Sequence, residues 1–214
     1  TLYNYIDQGL FLCISNEDLP SKKKSAQQGT QGRRTVAWNN RGGKSIEERP
    51  NAVNRREAFG HWEIDLVIGR KGTRPVILTL VERKTRKSLY VLVKNKSQKE
   101  VLQALRRLQR RIKGDFAEVF KSITADNGSE FLDGAGLKKA TGCEEVYYAH
   151  PFSSWERGSN ENGNRILRRF LPKGTDFSQL KAETLQRIED WVNNYPRKIF
   201  GYKTANDMYA ALAS

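Results

Sequence analysis

Hydrophobic positions are spread unevenly along the chain. Between Glu17 and Glu57 there is almost nothing to bury: SKKKSAQQGTQGRRT and NNRGGKSIEERP are basic, polar and glycine-rich, a composition that cannot offset the entropy of ordering. From Phe59 the character changes. HWEIDLVI, PVILTLV and SLYVLV are β-branched or apolar runs separated by GRKGTR and ERKTRKS, which predicts three strands in an antiparallel meander. In SQKEVLQALRRLQRRI, Val101, Leu105, Leu108 and Ile112 mark one helical face, and Ser97 with Glu100 predicts a capping box. FKSITA and EEVYYA read as two further strands with a short helical piece, GLKKAT, between them. A helix beginning near Glu161 should bury Ile166, Leu167 and Phe170 and stop before Pro172, because the residue preceding a proline resists helical geometry. Helices at Glu183–Asn194 and Thr204–Leu212 follow. The predicted order is βββαβαβ and then helices, an α/β arrangement. At the other end, TLYNYIDQGLFL reads as one short helix and a turn.

Composition narrows the class. The 214 residues allow one sizeable domain with an appendage. The 38 Lys and Arg against 24 Asp and Glu give a formal charge of +14, and such a surface attracts polyanions, nucleic acid first among them. There is no apolar run of about 18 residues and no signal-peptide pattern, so the expected location is cytoplasmic, with no membrane partner. Cys13, Cys143, His61 and His150 lack the spacing of a zinc site. Thr1 stands where an initiator methionine would be, so an upstream segment is expected to be missing.

Against this basic background a few acids stand out. Asp65 lies inside a predicted strand, Asp126 follows the apolar end of another in SITADNGSEF, and Glu161 falls in the first turn of a helix, with Ser159 or Asn160 as its cap. If the two strands are neighbours and the helix packs beside them, three carboxylates meet. They would repel one another unless divalent cations neutralised them. Magnesium suits all-oxygen ligands, and two such ions could hold the attacking and leaving oxygens of a phosphoryl displacement. Each acid also has an ordinary reading: an edge-strand charge, an Asx turn, a first-turn acid favoured by the helix dipole. Glu63, Glu130 and Glu156 compete on spacing alone, and Glu63 shares the strand face of Asp65.

The run from GHWEIDLVIG through ITADNGSEF to HPFSSWERGSNENGNRILRRFLPKGTDF resembles the transposases of the insertion-sequence-thirty family. The resemblance covers about residues 44 to 212, and SIEERP and WVNNYPRKIFGYKTANDMY fit it as well. It implies a DDE catalytic domain of ribonuclease-H-like, integrase-core type, with a mixed five-stranded sheet flanked by helices. It implies that Asp65, Asp126 and Glu161 are the catalytic and metal-binding triad, with two magnesium ions for which manganese substitutes, and it demotes Glu156. It further implies that residues 1–15 are the remnant of a helix-turn-helix region, leaving 16–57 as a basic, flexible linker and 58–214 as the catalytic domain.

The expected partner is double-stranded DNA, both element ends and target, with the chain acting as a homo-oligomer on it. Candidate DNA contacts are Arg165 and Arg168, at i+4 and i+7 from Glu161, the linker cations Lys22, Lys23, Lys24, Arg33 and Arg34, and Trp155 and His150. Hydrolysis at element ends followed by strand transfer of the 3′-hydroxyl is the expected activity. The competing readings are a ribonuclease-H-type nuclease that only hydrolyses and a non-catalytic DNA-binding module.

Overall fold

The computed structural model describes Ile6 and residues 42–112, 116–150 and 153–212, without the side chains of Ser154 and Trp155. The chain divides into two compact units, Thr1–Val36 and Ala37–Ser214; the strands and helices that follow belong to the second. The strands are β1 (Lys44–Ser45), β2 (His61–Ile68), β3 (Val76–Glu82), β4 (Ser88–Val93), β5 (Ser122–Ala125) and β6 (Glu145–Tyr148). The helices are α1 (Asn51–Asn54), α2 (Gln98–Arg111), α3 (Phe116–Val119), α4 (Gly134–Thr141), α5 (Gly158–Phe170), α6 (Ala182–Asn194) and α7 (Ala205–Ala210).

One sheet runs β1-β6-β5-β2-β3-β4. The meander β2-β3-β4 is antiparallel. Beyond β2 the order continues in parallel through β5 and β6 to β1. Thus β2 and β5 are neighbours, as convergence of their acids requires. Residues two apart on a strand share a face, and β2 uses this to serve two cores. Trp62 and Ile64 pack into a core with Leu80, Val101, Leu105 and Leu137, while Val67 joins Ile77, Tyr90, Leu167 and Val192 on the other side. The helices therefore flank both faces, and His61, Glu63 and Asp65 are on the face that Val67 shares with α5.

Helix α5 lies close on this face because Gly163 lets it: a Cβ there would stand 2.9 Å from a methyl of Val81. Any larger residue would have to push helix and strand apart.

The boundary of the expected linker moves. Residues 42–57 were read from sequence as its end, yet Ser45 and Glu48 form a reciprocal capping box, Ile46 and Val53 are buried, and β1 adds a sixth strand to the five expected. The buried Arg49 donates to Thr124 at 3.1 Å and to Asn54 at 2.7 Å. A segment poor in apolar residues is held by polar contacts that composition does not reveal. The helix-turn-helix remnant, apart from Ile6, and Lys22, Lys23, Lys24, Arg33 and Arg34 lie outside the described residues. Two smaller readings also change. Ser97 accepts from the Glu100 amide without the reciprocal half of the box, and Phe170 is 38 % exposed rather than buried, its ring set against Trp191.

Candidate active site

Asp65 sits within β2 opposite Thr79 of β3. Asp126 follows the last residue of β5, where its Oδ1 accepts from the Gly128 amide at 2.9 Å in a tight turn. The two carboxylates converge on one cation. Arg157 places Nη1 3.5 Å from Asp65 Oδ1 and Nη2 3.3 Å from Asp126 Oδ2. The Arg157 side chain is only 13 % exposed, whereas Asp65 and Asp126 keep 26 % and 35 %, so the acids open outward and the guanidinium lies beneath them. Burial pushes the Asp65 carboxyl above its ordinary pKa, Arg157 opposes that shift, and the charge of Asp126 adds to it. Electrostatically this is a pair of like charges sharing one counter-charge.

The other oxygen of Asp65 is held by Asn164. Its Nδ2 donates to Asp65 Oδ2 at 2.8 Å, while its Oδ1 accepts from the Thr79 hydroxyl at 3.0 Å. Asn164 stands three residues after Glu161, hence on the same side of α5; this spacing was the available signal for a residue that sequence reasoning passed over. Arg157 was passed over too, because nothing in WERG says that its side chain reaches back to β2 and β5.

Glu161 lies in the first turn of α5, exposed, and makes no ion pair or hydrogen bond with another described side chain. The helix is not capped by Ser159 or Asn160. Ser159 accepts instead from Arg86, and the Asn160 amide donates to Glu63 Oε2 at 2.8 Å. Glu63, fully buried, also pairs through its other oxygen with Arg83. Both its oxygens are therefore committed: it caps α5 from β2 and fixes the helix that carries Glu161 and Asn164 beside the strand that carries Asp65. Glu156 is committed likewise, to the His150 amide and ring at 2.8 Å each. Glu130 is buried and paired with Lys96 at 3.1 Å.

The expected DNA contacts fare unevenly. Arg165 is exposed and, among the described residues, donates only to Asn162, at 2.7 Å. Arg168, expected to face phosphates, donates instead to the carbonyls of Ile68, Leu171 and Pro172, tying the end of α5 to the end of β2. The ring nitrogens of His150 face Glu156 and Glu47, and the Glu156 hydrogen bond raises its pKa. Trp155 lies in a short 3-10 turn, Ser154–Arg157, its side chain outside the description.

As a metal site the donors fit in kind: hard carboxylate oxygens, two of which already face a common positive charge. Among the described residues no three of His, Cys, Asp and Glu stand together as a metal cage, so Glu161 is not drawn in with the other two.

Three relatives are similar to this chain over most of its length. The probable transposase for insertion-like sequence element IS1161 of Streptococcus salivarius is 43 % identical over 210 residues, covering 98 % of this chain and 57 % of the relative. The transposase for insertion sequence element IS4351 of Bacteroides fragilis is 37 % identical, covering 77 % and 48 %. Transposase InsI for insertion sequence element IS30A of Escherichia coli (strain K12) is 36 % identical, covering 78 % and 42 %. Over most of its length the chain is homologous to transposases of the insertion-sequence-thirty family. It spans about half the length of these relatives. Among solved structures, a chain of the simian T-cell lymphotropic virus intasome in complex with PP2A regulatory subunit B56 gamma matches 70 % of this chain and 53 % of its own, with a TM-score of 0.55 and 19 % identity. That likeness gives the fold: the ribonuclease-H-like integrase type. No family model matches the chain. No described helix is long and apolar enough to cross a membrane.

Proposed function

We propose that this chain carries the catalytic domain of a DNA transposase, cleaving a phosphodiester at element ends and joining the freed 3′-hydroxyl to target DNA as a homo-oligomer assembled on the DNA. The observation that carries the reading is the convergence of Asp65 and Asp126, from adjacent strands, on one cation beside the helix that bears Glu161. Homology to transposases gives that convergence its chemical context.

In this reading Asp65, Asp126 and Glu161 hold two magnesium ions, replaceable by manganese, which supply charge stabilisation of the attacking and leaving oxygens when bound. The chain's own side chains prepare for this. Asn164 holds Asp65 Oδ2, leaving its Oδ1 toward the Arg157 guanidinium that Asp126 shares. Glu63 sets the angle at which α5 presents Glu161. Arg157 neutralises the acid pair from beneath, and its guanidinium would compete with a dication for Asp65 Oδ1 and Asp126 Oδ2. Arg165, one helical turn beyond Glu161, is placed for a phosphate.

The test is an end-labelled duplex carrying the element end, incubated with magnesium and a plasmid target. Nicking together with transfer of label to plasmid is expected. Nicking without transfer would favour the ribonuclease-H-type alternative, and binding without either would leave only the DNA-binding module.

A further inference from the structure

Away from the acid pair, the second half of α5, the end of α6 and the turn after it enclose a groove of about 470 Å³. Its floor is aromatic. Trp191 and Tyr195 stack with ring centroids 5.0 Å apart at 30°, and Phe170 meets Trp191 edge-on at 4.8 Å. Trp191 is 43 % exposed and Tyr195 46 %. Rings of this size are seldom left to water on a face that has no partner. The face of α6 that stabilises the fold is a different one, built from Leu185, Ile188 and Val192, so packing does not account for the exposed rings.

The rim is cationic. Arg165, Arg169 and Lys198 line the groove, all exposed, and none of the described residues lining it is acidic. Flat apolar surface beside unopposed positive charge selects a ligand that has flat faces and negative charge at once. Nucleic acid meets both demands, but in a duplex the base faces are covered by their neighbours, so the stack is open only to unpaired bases. A second copy of this chain is a poor occupant: a two-fold contact through this face would set the same cations against one another. Arg165 follows Glu161 by one turn of α5, so the groove begins where the acid site ends.

We infer that this groove binds an unpaired stretch of a DNA strand, its bases stacked on Trp191 and Tyr195 and its phosphates held by Arg165, Arg169 and Lys198. The inference rests on the transposase reading for the origin of such a strand, a duplex opened beside the acids. Stacking on the rings and attraction at the rim need neither metal nor catalysis.

The experiment compares three fluorescent probes by anisotropy without divalent metal: an oligothymidylate of about 12 nucleotides, within the span of one such site, an abasic strand of equal length and charge, and a blunt duplex. The protein should prefer oligothymidylate to the abasic strand, by roughly 5- to 150-fold for each base stacked. The double variant Trp191→Ala, Tyr195→Ala should lose that preference and keep its duplex affinity within about twofold, both rings being exposed. Arg169→Ala with Lys198→Ala should lower the slope of log affinity against log salt for oligothymidylate by about 1.4, at roughly 0.7 per cation. A base preference that survives the aromatic double variant overturns the inference. So does an equal fall in duplex affinity, or a dimer in sedimentation that this variant dissociates. Wild-type protein that fails to nick and join but keeps a Trp191-dependent preference removes the transposase reading and leaves the groove; nicking and joining with no such preference does the reverse.

Discussion

Glu63 and Asp65 are carboxylates two residues apart on one face of β2, and the fold treats them in opposite ways. Glu63 is fully buried, with one oxygen paired to Arg83 and the other accepting the Asn160 amide. Arg83 is itself locked by the carbonyls of Val53 and Asn54, at 3.1 and 3.2 Å. Asp65 keeps a quarter of its surface in solvent and faces a guanidinium that it shares with Asp126. A buried charge is tolerable only when paired and hydrogen-bonded in full, and Glu63 meets that condition with partners that cannot leave without unfolding α1 and α5. Asp65 meets it in part, with Arg157, at a longer contact of 3.5 Å that it shares with Asp126. An acid with fixed partners builds the frame; one with a replaceable partner is free to take a cation.

The contrast is broken most directly by neutralising each acid in place. Asp65→Asn, Asp126→Asn and Glu161→Gln are expected to lower nicking and joining by about 10⁴-fold or more, equal to about 5 kcal/mol of barrier, with duplex binding little changed. Magnesium-dependent nicking by Glu161→Gln near the wild-type rate would remove that residue from the assignment.

Glu63→Gln should do the reverse. It leaves Arg83 buried without its counter-charge, and removing one partner of a buried pair costs about 3–5 kcal/mol. Urea denaturation should show that loss, whereas Asp65→Asn, a quarter exposed and still able to accept from the Leu66 amide, should stay within about 1 kcal/mol of wild type. If the two variants unfold at the same urea concentration, frame and site are not separable on this strand.

What sequence could disclose of this contrast is uneven for physical reasons. The meander and α2 follow from local periodicity, because a strand or helix of six residues or more repeats its pattern, whereas the adjacency of β2 and the four-residue β5 entered only as a condition for the acids to meet. The sharing of a face by Glu63 and Asp65 was legible too, since it depends only on the two-residue period. Which of the two is frame was not. It is decided by Arg83 and by the Asn160 amide, 97 residues away in the chain, and a single sequence does not pair charges over such distances. The same holds for Arg157, whose bond to the Ile64 carbonyl spans 93 residues, and for Asn164. β1 has two residues and no pattern to read. Its place at the sheet edge comes from the Ser45–Glu48 capping box and from Arg49, whose guanidinium burial and nearby Arg83 pull down to about 10.

Arg157→Gln sharpens the comparison at its weaker side. With the guanidinium gone, Asp65 and Asp126 repel each other without compensation, so the metal-free protein should lose about 1–2 kcal/mol, the range of a charge-assisted hydrogen bond discounted for exposure. Manganese should then restore more stability than it adds to wild type, and the concentration for half of the thermal shift should fall about 10-fold, because no internal cation competes. An unchanged midpoint would mean that Arg157 does not stand in the metal's place.

The smallest effect belongs to the third titratable side chain on this face of β2, His61. Its Nδ1 lies 2.7 Å from the Ser122 hydroxyl, and burial, with Lys121 and Arg83 nearby, lowers its pKa from 6.5 to about 4. The unfolded chain therefore takes up a proton near pH 6.5 that the folded chain refuses until about pH 4, so this group's stabilisation is complete above pH 6.5 and is lost as pH falls toward 4. A shift of that size has a ceiling of about 3 kcal/mol; the ring is only partly buried, which brings the expected loss to about 1 kcal/mol. His150 acts with the opposite sign, since Glu156 raises its pKa and its contribution is present at low pH. Comparison with His61→Asn, which retains a partner for Ser122, cancels His150 and the carboxylates common to both proteins. Urea midpoints at about pH 7.5 and pH 4.5 should show wild type losing about 1 kcal/mol more than the variant. Equal losses would mean that the folded chain accepts the proton after all, and would place His61 with Asp65 among the groups of β2 that can change charge without disturbing the frame.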